Sequence, residues 1–155
     1  MEAEAQSLKT CADQLAIHET IHRFTLSLDL KDWALCRACF ADEIHVDYSA
    51  LRGDPPGLVK ADDFVALRRQ ALESLQTHHI SANHLIQLND DEATCTSSAI
   101  IHRRQPNSDP PVTFDTHCIY THHLTRTARG WLIDRVKQHV LWNSGNPTIH
   151  AGARP

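Results

Sequence analysis

The chain has 155 residues, of which 41% are hydrophobic and 22% are charged, so we expect one globular domain with a single core. A formal net charge of -4 without a basic stripe argues against nucleic acid as a partner, and no apolar run reaches the roughly 18–20 residues that cross a bilayer. Five cysteines without framework spacing and a polar N-terminus favour a cytoplasmic protein with reduced thiols.

The first predicted element is an amphipathic helix over residues 12–28, in which apolar side chains recur at nearly helical spacing. Residues 18–22 of this helix read "HETIH", which has the form of the HExxH zinc motif. A catalytic zinc site needs a third protein ligand, and the extended motif requires glycine and histidine where this chain has Thr25 and Leu28. We interpret the string as a chance product of the helix and predict neither metal nor other cofactor.

Two further helices and one strand are predicted in the first half of the chain. A short helix follows Asp32 and continues to about residue 40, and alternating side chains predict a strand over 43–50. Residues 51–57, "LRGDPPG", are rich in glycine and proline and predict an interruption of regular secondary structure before a third helix over 60–75.

The second half of the chain has a different character, because β-branched residues alternate with polar ones between turn signals. It predicts four strands, within 78–88, 92–103, 112–126 and 130–142. Three helices followed by antiparallel strands indicate an α+β fold, in which the long sheet curls and the helices cover one face around a pocket. We predict one domain over residues 1–155, with a core at about 12–146 and loosely ordered tails.

Several local strings resemble the SnoaL-like and scytalone dehydratase-like branch of the nuclear transport factor 2-like superfamily. The resemblance covers roughly residues 12–146, including "THHISANH" at 77–84 and "ARGWLIDR" at 128–135. The motifs of the first half that carry it are Asp29, Asp32-Trp33, Phe40-Ala41-Asp42 and Asp47-Tyr48-Ser49. Membership would imply a cone-shaped α+β barrel with a strongly bent sheet around a pocket, usually in a homodimer.

The resemblance also implies a catalytic pair. In dehydratase and dehydrochlorinase members, an aspartate that ends the first helix orients a histidine, which acts as a general base on a C–H bond next to a leaving group. The matching positions here are Asp29 and His79. A neutral imidazole is the side chain best suited to accept a proton at neutral pH, and a carboxylate on its other nitrogen fixes the tautomer.

Three softer matches add candidate residues. Tyr48 stands where scytalone dehydratase-like members place a tyrosine that polarises the substrate carbonyl, and His102 falls near their second histidine after a one-residue gap. Tyr120 occupies a position that usually contacts ligand, although the family residue there is often asparagine. Leu28 replaces a tyrosine of scytalone dehydratase, which argues against scytalone itself as the substrate.

Further residues are assigned to substrate binding by their predicted positions on strand faces. Side chains alternate along a strand, so the match at Tyr120 favours an inward face that also carries Thr116 and Cys118. Together with Tyr120 and Cys118, the predicted substrate-binding residues are Phe24, Asn83, Arg135 and His139.

These assignments predict a cofactor-independent lyase or isomerase, dehydratase-like, acting on a cyclic polyketide, terpenoid or steroid-like molecule. Two alternatives remain open. One is a ring-closing enzyme that resembles a polyketide cyclase, and the other is a non-catalytic module that binds a small molecule. The expected partners are this substrate and a second copy of the chain, with neither nucleic acid nor a membrane.

Overall fold

A computed structural model describes residues 1–150. The elements in chain order are α1 (Glu2–Leu30), α2 (Trp33–Ala38), β1 (Phe40–Asp47), α3 (Ser49–Arg52), β2 (Gly57–Lys60), α4 (Ala61–Leu72), β3 (Gln76–Asn89), β4 (Glu92–Arg104), β5 (Thr113–Thr127), β6 (Gly130–Gly145) and a 3-10 turn (Pro147–Ile149). No helix in residues 1–150 is both long and apolar enough to cross a membrane.

The six strands form one sheet in the order β2-β1-β6-β5-β4-β3, in which only β1 and β6 pair in parallel. Strands β3 to β6 have 13 to 16 residues, and ribbons of this length cannot stay flat because each strand carries a right-handed twist. Register shifts occur after Ala82, His117 and His123, and bulges of this kind bend a sheet. The predicted α+β class is confirmed.

Helix α1 covers the concave face of the sheet with a single stripe of apolar side chains. Ile17, Ile21, Phe24 and Leu28 follow each other at spacings of three or four residues, and each is at most 4% exposed. Burying one such side chain stabilises the fold by about 1.5–3 kcal/mol. The stripe therefore fixes the rotation of α1 and, with it, the position of Asp29 near its end.

The long helix is closed at its C-terminus and tied to the sheet at Asp13. At its C-terminus Lys31 adopts the left-handed conformation (φ 59°) and donates its backbone N–H to Ser27, which closes the helix. Nearer the N-terminus Asp13 accepts two hydrogen bonds from Arg126 and one from the indole of Trp131, so α1 is tied to the β5–β6 hairpin.

Several boundaries differ from the prediction. Helix α1 begins at Glu2 rather than near residue 12, because the polar residues before Cys11 extend a helix without contributing to the core. Strand β1 ends at Asp47, and the short elements α3 and β2 flank a loop at 53–56 within the segment predicted as an interruption. At the other end residues 147–150 are ordered, and the prediction for 151–155 lies outside the described residues.

Candidate active site

Asp29 and His79 are in direct contact between α1 and β3. The Nδ1 atom of His79 lies 2.5 Å from Oδ1 of Asp29, and the backbone N–H of His79 donates to Oδ2 at 2.7 Å. The side chain of His79 is only 7% exposed and that of Asp29 only 15%. The carboxylate thus holds both the backbone and the ring of the histidine. We assign Nδ1–H as the donor, which leaves Nε2 as the basic nitrogen.

The position of Asp29 is electrostatically demanding, because the C-terminal end of a helix disfavours a negative charge. Burial, the largest influence, raises the pKa of Asp29, but hydrogen bonds and charge from His79 and the Thr77 hydroxyl outweigh it and bring the pKa below its usual value. Lys31 donates to the same Thr77 hydroxyl at 2.9 Å. Asp29 is therefore ionised at neutral pH.

His79 is held in the neutral form. Burial lowers the pKa of His79, and the opposing attraction of Asp29 does not restore it to the ordinary value. Arg103 and Lys31 act in the same direction as burial. A neutral imidazole oriented by a carboxylate can accept a proton, which is the chemistry that a general base requires.

His79 lines a pocket between the helices and the concave face of the sheet. The pocket is narrow, with a cavity volume of about 20 Å³, and it adjoins an outer pocket of about 190 Å³. The two share Tyr48 and Arg68 in their walls. The inner pocket is lined by Phe24, Leu28, Tyr48, Leu51, Arg68, Leu72, His79, Ile101, Arg103, Tyr120, Gln138 and His150.

Two tyrosines face each other in this pocket. The ring centroids of Tyr48 and Tyr120 are 6.4 Å apart, and the side-chain amide of Gln138 donates to the Tyr120 hydroxyl at 2.8 Å. Burial raises the pKa of Tyr48 to about 12 and places that of Tyr120 well above its ordinary value. Both phenols therefore stay protonated and can donate a hydrogen bond or a proton to a ligand oxygen.

The pocket also carries positive charge that the sequence analysis missed. Arg68 is 7% exposed and Arg103 is 3% exposed, and neither forms an ion pair within residues 1–150. Arg103 donates to Thr116 at 2.9 Å, whereas the Nε atoms of both arginines lack a partner. A buried guanidinium without a carboxylate partner favours a ligand with an anionic or polarised oxygen.

Arg68 and Arg103 could have been found from pattern alone. Arg68 follows Phe64 by four residues, on the buried face of α4. Arg103 lies two residues after the buried Ile101, on the inward face of β4.

His102 lies outside the pocket, contrary to the prediction. It is exposed on the outer face of the sheet, where Nδ1 is 3.2 Å from Asp115. A shift of one residue along a strand moves a side chain to the opposite face, so Arg103 occupies the inward position next to it. Arg135 and His139 are exposed for the same reason, since Val136 and Gln138 are the buried residues of that stretch of β6.

Asn83 is also outside the pocket, because β3 has a bulge between Ala82 and Leu85. Asn83 has a φ of 55° and donates to Ser98 at 3.4 Å from an exposed position. The alternation that would have placed it on the face of His79 is interrupted there. His84 takes the inward position instead.

Strand β5 has the orientation that the match at Tyr120 favoured. Thr116, Cys118 and Tyr120 are buried, while Asp115 and His117 lie on the other face. Cys118 accepts a hydrogen bond from Gln138 at 3.7 Å and belongs to the core behind the pocket rather than to its wall. Phe24 does line the pocket.

Two histidines without an assigned role are buried near the site. His122 stacks on Tyr120 with centroids 5.2 Å apart, and burial lowers its pKa to about 4. His150 packs against Phe114 and forms part of the pocket wall, and burial, assisted by Arg103, lowers its pKa to about 3. The segment after β6 therefore closes one side of the pocket.

Residues 9–137 match the model of the SnoaL-like domain. The chain belongs to the SnoaL-like family. It is 24% identical over 135 residues, 81% of this chain and 70% of the relative, to the scytalone dehydratase-like protein Arp1 of Metarhizium anisopliae (strain ARSEF 549).

Solved structures agree with this membership. The Kfla4162 protein from Kribbella flavida superposes with a TM-score of 0.83 at 26% identity, covering 87% of this chain and 95% of that one. A hexachlorocyclohexane dehydrochlorinase, LinA Type2, superposes with a TM-score of 0.76 at 14% identity, covering 93% and 95%. The predicted family is thereby confirmed, and the fold is shared with this dehydrochlorinase.

Proposed function

We propose that this SnoaL-like protein is a cofactor-independent lyase or isomerase in which His79 removes a proton from carbon. The observation that carries the proposal is the contact of 2.5 Å between Asp29 and His79 at the wall of a buried pocket. Relatives of the chain support its assignment to the lyases, since they include a dehydrochlorinase and a scytalone dehydratase-like protein.

The first step follows from the protonation states of the pair. Nε2 of His79 takes the proton alpha to a substrate carbonyl, and the C–H electron pair moves into the carbonyl to give an enolate. Asp29 stabilises the imidazolium that forms. The proton therefore stays on a group whose positive charge is compensated by an adjacent carboxylate.

The enolate oxygen requires donors in a site without bulk water. Tyr48 and Tyr120 supply protonated hydroxyls, and Arg68 and Arg103 supply positive charge without a carboxylate partner. Donors that are already oriented stabilise developing negative charge more effectively than water does. Apolar side chains line both pockets, with Phe24, Leu28 and Ile101 in the inner one. The outer pocket continues this lining with Val46, Phe64 and Leu67, and the two together suit a cyclic, partly apolar substrate.

The second step completes an elimination or an isomerisation. When a hydroxyl or halide is beta to the carbonyl, the enolate electrons re-form the carbonyl, make the C=C bond and expel that group. A departing hydroxide takes the proton of Tyr48 and leaves as water, and the imidazolium of His79 then returns its proton to Tyr48. A halide leaves as the anion, and His79 releases its proton to solvent. Without a leaving group, His79 returns the proton to another carbon and the double bond shifts.

The test is proton NMR in D2O with cyclic ketones that carry a beta hydroxyl or a beta halide. We expect loss of the alpha proton signal together with release of the beta substituent, and we expect both to disappear in His79→Ala. His78→Ala is the matched control, because His78 is the neighbouring histidine on the exposed face of the same strand.

Other results would redirect the proposal. Binding of these ketones without exchange of the alpha proton in the wild-type protein would overturn it in favour of a binding module. Exchange followed by carbon–carbon bond formation in a substrate with a second carbonyl would identify a ring-closing enzyme.

A further inference from the structure

Three histidines outside the pocket come together between α1 and β3. His18 and His22 are one turn apart on the same face of the helix, and His84 approaches them from the strand. The ring centroids of His84 lie 5.1 Å from those of His18 and His22, which are 5.7 Å from each other. One nitrogen from each ring lies within 4.8 Å of the other two.

The bulge in β3 creates this cluster. Without it, strict alternation would direct Asn83 toward α1 and His84 toward the outer face. Asn83 adopts a φ of 55°, a conformation that asparagine tolerates better than most residues, and the strand resumes with His84 facing inward. The inward position that the sequence predicted for Asn83 is therefore taken by His84, whose imidazole can bind a metal ion.

The distances between the rings are close to those of a coordinated ion. Tetrahedral coordination with metal–nitrogen bonds of about 2.0–2.1 Å places ligand nitrogens about 3.3 Å apart. The separations here are within 4.8 Å, and rotation of these exposed or partly exposed side chains covers the difference. Imidazole is a preferred ligand of zinc, copper, nickel and cobalt, whereas magnesium and calcium prefer oxygen.

The surroundings of the cluster also fit a cation. None of the ion pairs in residues 1–150 involves His18, His22 or His84, so no carboxylate competes for their nitrogens. Ser81 lies 2.9 Å from Nε2 of His84. Histidine ligands usually carry such a hydrogen bond on their second nitrogen, which orients the ring.

We propose that His18, His22 and His84 form a site for one divalent transition-metal ion, with zinc as the reference ion and water completing the coordination. The bound ion joins α1 to β3 and has a structural role. The motif glutamate of a zinc protease would act on the metal-bound water, but here Glu19 pairs with Arg23 at 2.6 Å on the helix surface. The site uses none of the pocket residues and does not rest on the proposed function.

The test is calorimetric titration of Zn²⁺ into the full-length protein after removal of any affinity tag and treatment with EDTA followed by dialysis. We expect saturation at one equivalent per chain and a rise of several degrees in melting temperature, since the ion binds the folded state. His84→Ala should weaken binding at least tenfold and abolish the thermal shift. His139→Ala is the matched control, an exposed strand histidine far along the sequence from the cluster.

Two results would overturn the site. One is wild-type protein that does not saturate with Zn²⁺, and the other is His84→Ala protein that binds Zn²⁺ as tightly as His139→Ala protein does. A loss of affinity in His84→Ala with an unchanged melting temperature in EDTA supports coordination, because that variant is then folded. A milder loss in Ser81→Ala would support the orienting role of the hydroxyl.

Discussion

Helix α1 and strand β3 bring together two histidine groups with opposite surroundings. Toward the end of the helix His79 is buried and contacts one carboxylate, Asp29. Two to three turns earlier on the helix, His18 and His22 meet His84 of the strand. His22 is exposed, His18 and His84 are partly exposed, and none of the three forms an ion pair within residues 1–150. The same side chain is thus placed once where it can exchange a proton and three times where it can share a metal ion.

The groups that surround a histidine, rather than the histidine itself, determine its chemistry here. A carboxylate on Nδ1 makes His79 a better proton acceptor, and burial keeps the ring neutral until substrate arrives. Three rings without a carboxylate partner each place one nitrogen within 4.8 Å of the other two, and imidazole nitrogens suit a transition-metal ion. Substitutions that exchange or remove these partners test whether the partners determine the two chemistries.

The largest expected effect is on turnover in Asp29→Asn. An amide in this position can donate to Nδ1 of His79, which moves the ring proton to Nε2 and removes the base. We expect kcat to fall by about 10²–10⁴-fold, measured on any substrate found by the NMR assay. Zinc binding should be unchanged in His79→Ala, and a parallel loss of both properties would mean that the two groups are not independent.

The pH dependence of kcat/KM sharpens the same prediction. His79 must be neutral to act, so activity falls as the pH drops through its pKa, which burial places below the ordinary 6.5. Asp29 raises that pKa, and its removal should therefore shift the acid limb of the residual activity to still lower pH. A limb that moves to higher pH in Asp29→Asn would contradict the assigned pair.

The sequence predicted the buried pair better than the rest of the pocket, and the reason is physical. Asp29 and His79 are fixed by the end of a helix and by the start of a strand, before any bulge intervenes. Arg135 and His139 were placed on the wrong face because alternation carries no absolute phase, and His102 because its match to the family allowed a one-residue gap. On a strand, one residue of error inverts the assignment.

The metal cluster escaped prediction for a related reason. The string "HETIH" supplies two ligands within one helix, but the third comes from a residue 62 positions after His22 in the sequence. His84 faces inward because of the bulge at Asn83, and the amino-acid sequence at this bulge does not differ from that of a regular strand.

A third environment, burial without any partner, predicts a stability effect. His122 is 1% exposed and neither ring nitrogen has a hydrogen-bond partner, and burial lowers its pKa to about 4. Between pH 6.5 and 4 the unfolded chain takes up a proton that the folded chain excludes, so the free energy of unfolding decreases as the pH falls. The contribution of this residue is about 3 kcal/mol over that range.

His122→Phe should remove that contribution. In urea unfolding at several pH values, the free energy of unfolding should decrease less on acidification for the variant than for the wild type. The larger side chain of the variant shifts the free energy by the same amount at every pH and does not affect this comparison. His150 and the other groups titrate in both proteins and cancel in the difference. Equal slopes for the two proteins would show that His122 becomes protonated without unfolding.

The smallest expected effect concerns the bulge that separates the two histidine groups. Asn83→Val places a β-branched residue at a φ of 55°, where such side chains are strained, and should cost about 1–2 kcal/mol of stability. Asn83→Gly relieves the same constraint and serves as the matched variant, with a free energy of unfolding close to that of the wild type. Because His84 follows directly, we expect Asn83→Val to weaken Zn²⁺ binding while Asn83→Gly retains it. Weaker binding in both variants would instead indicate that the Asn83 side chain, through its contact with Ser98, orients His84.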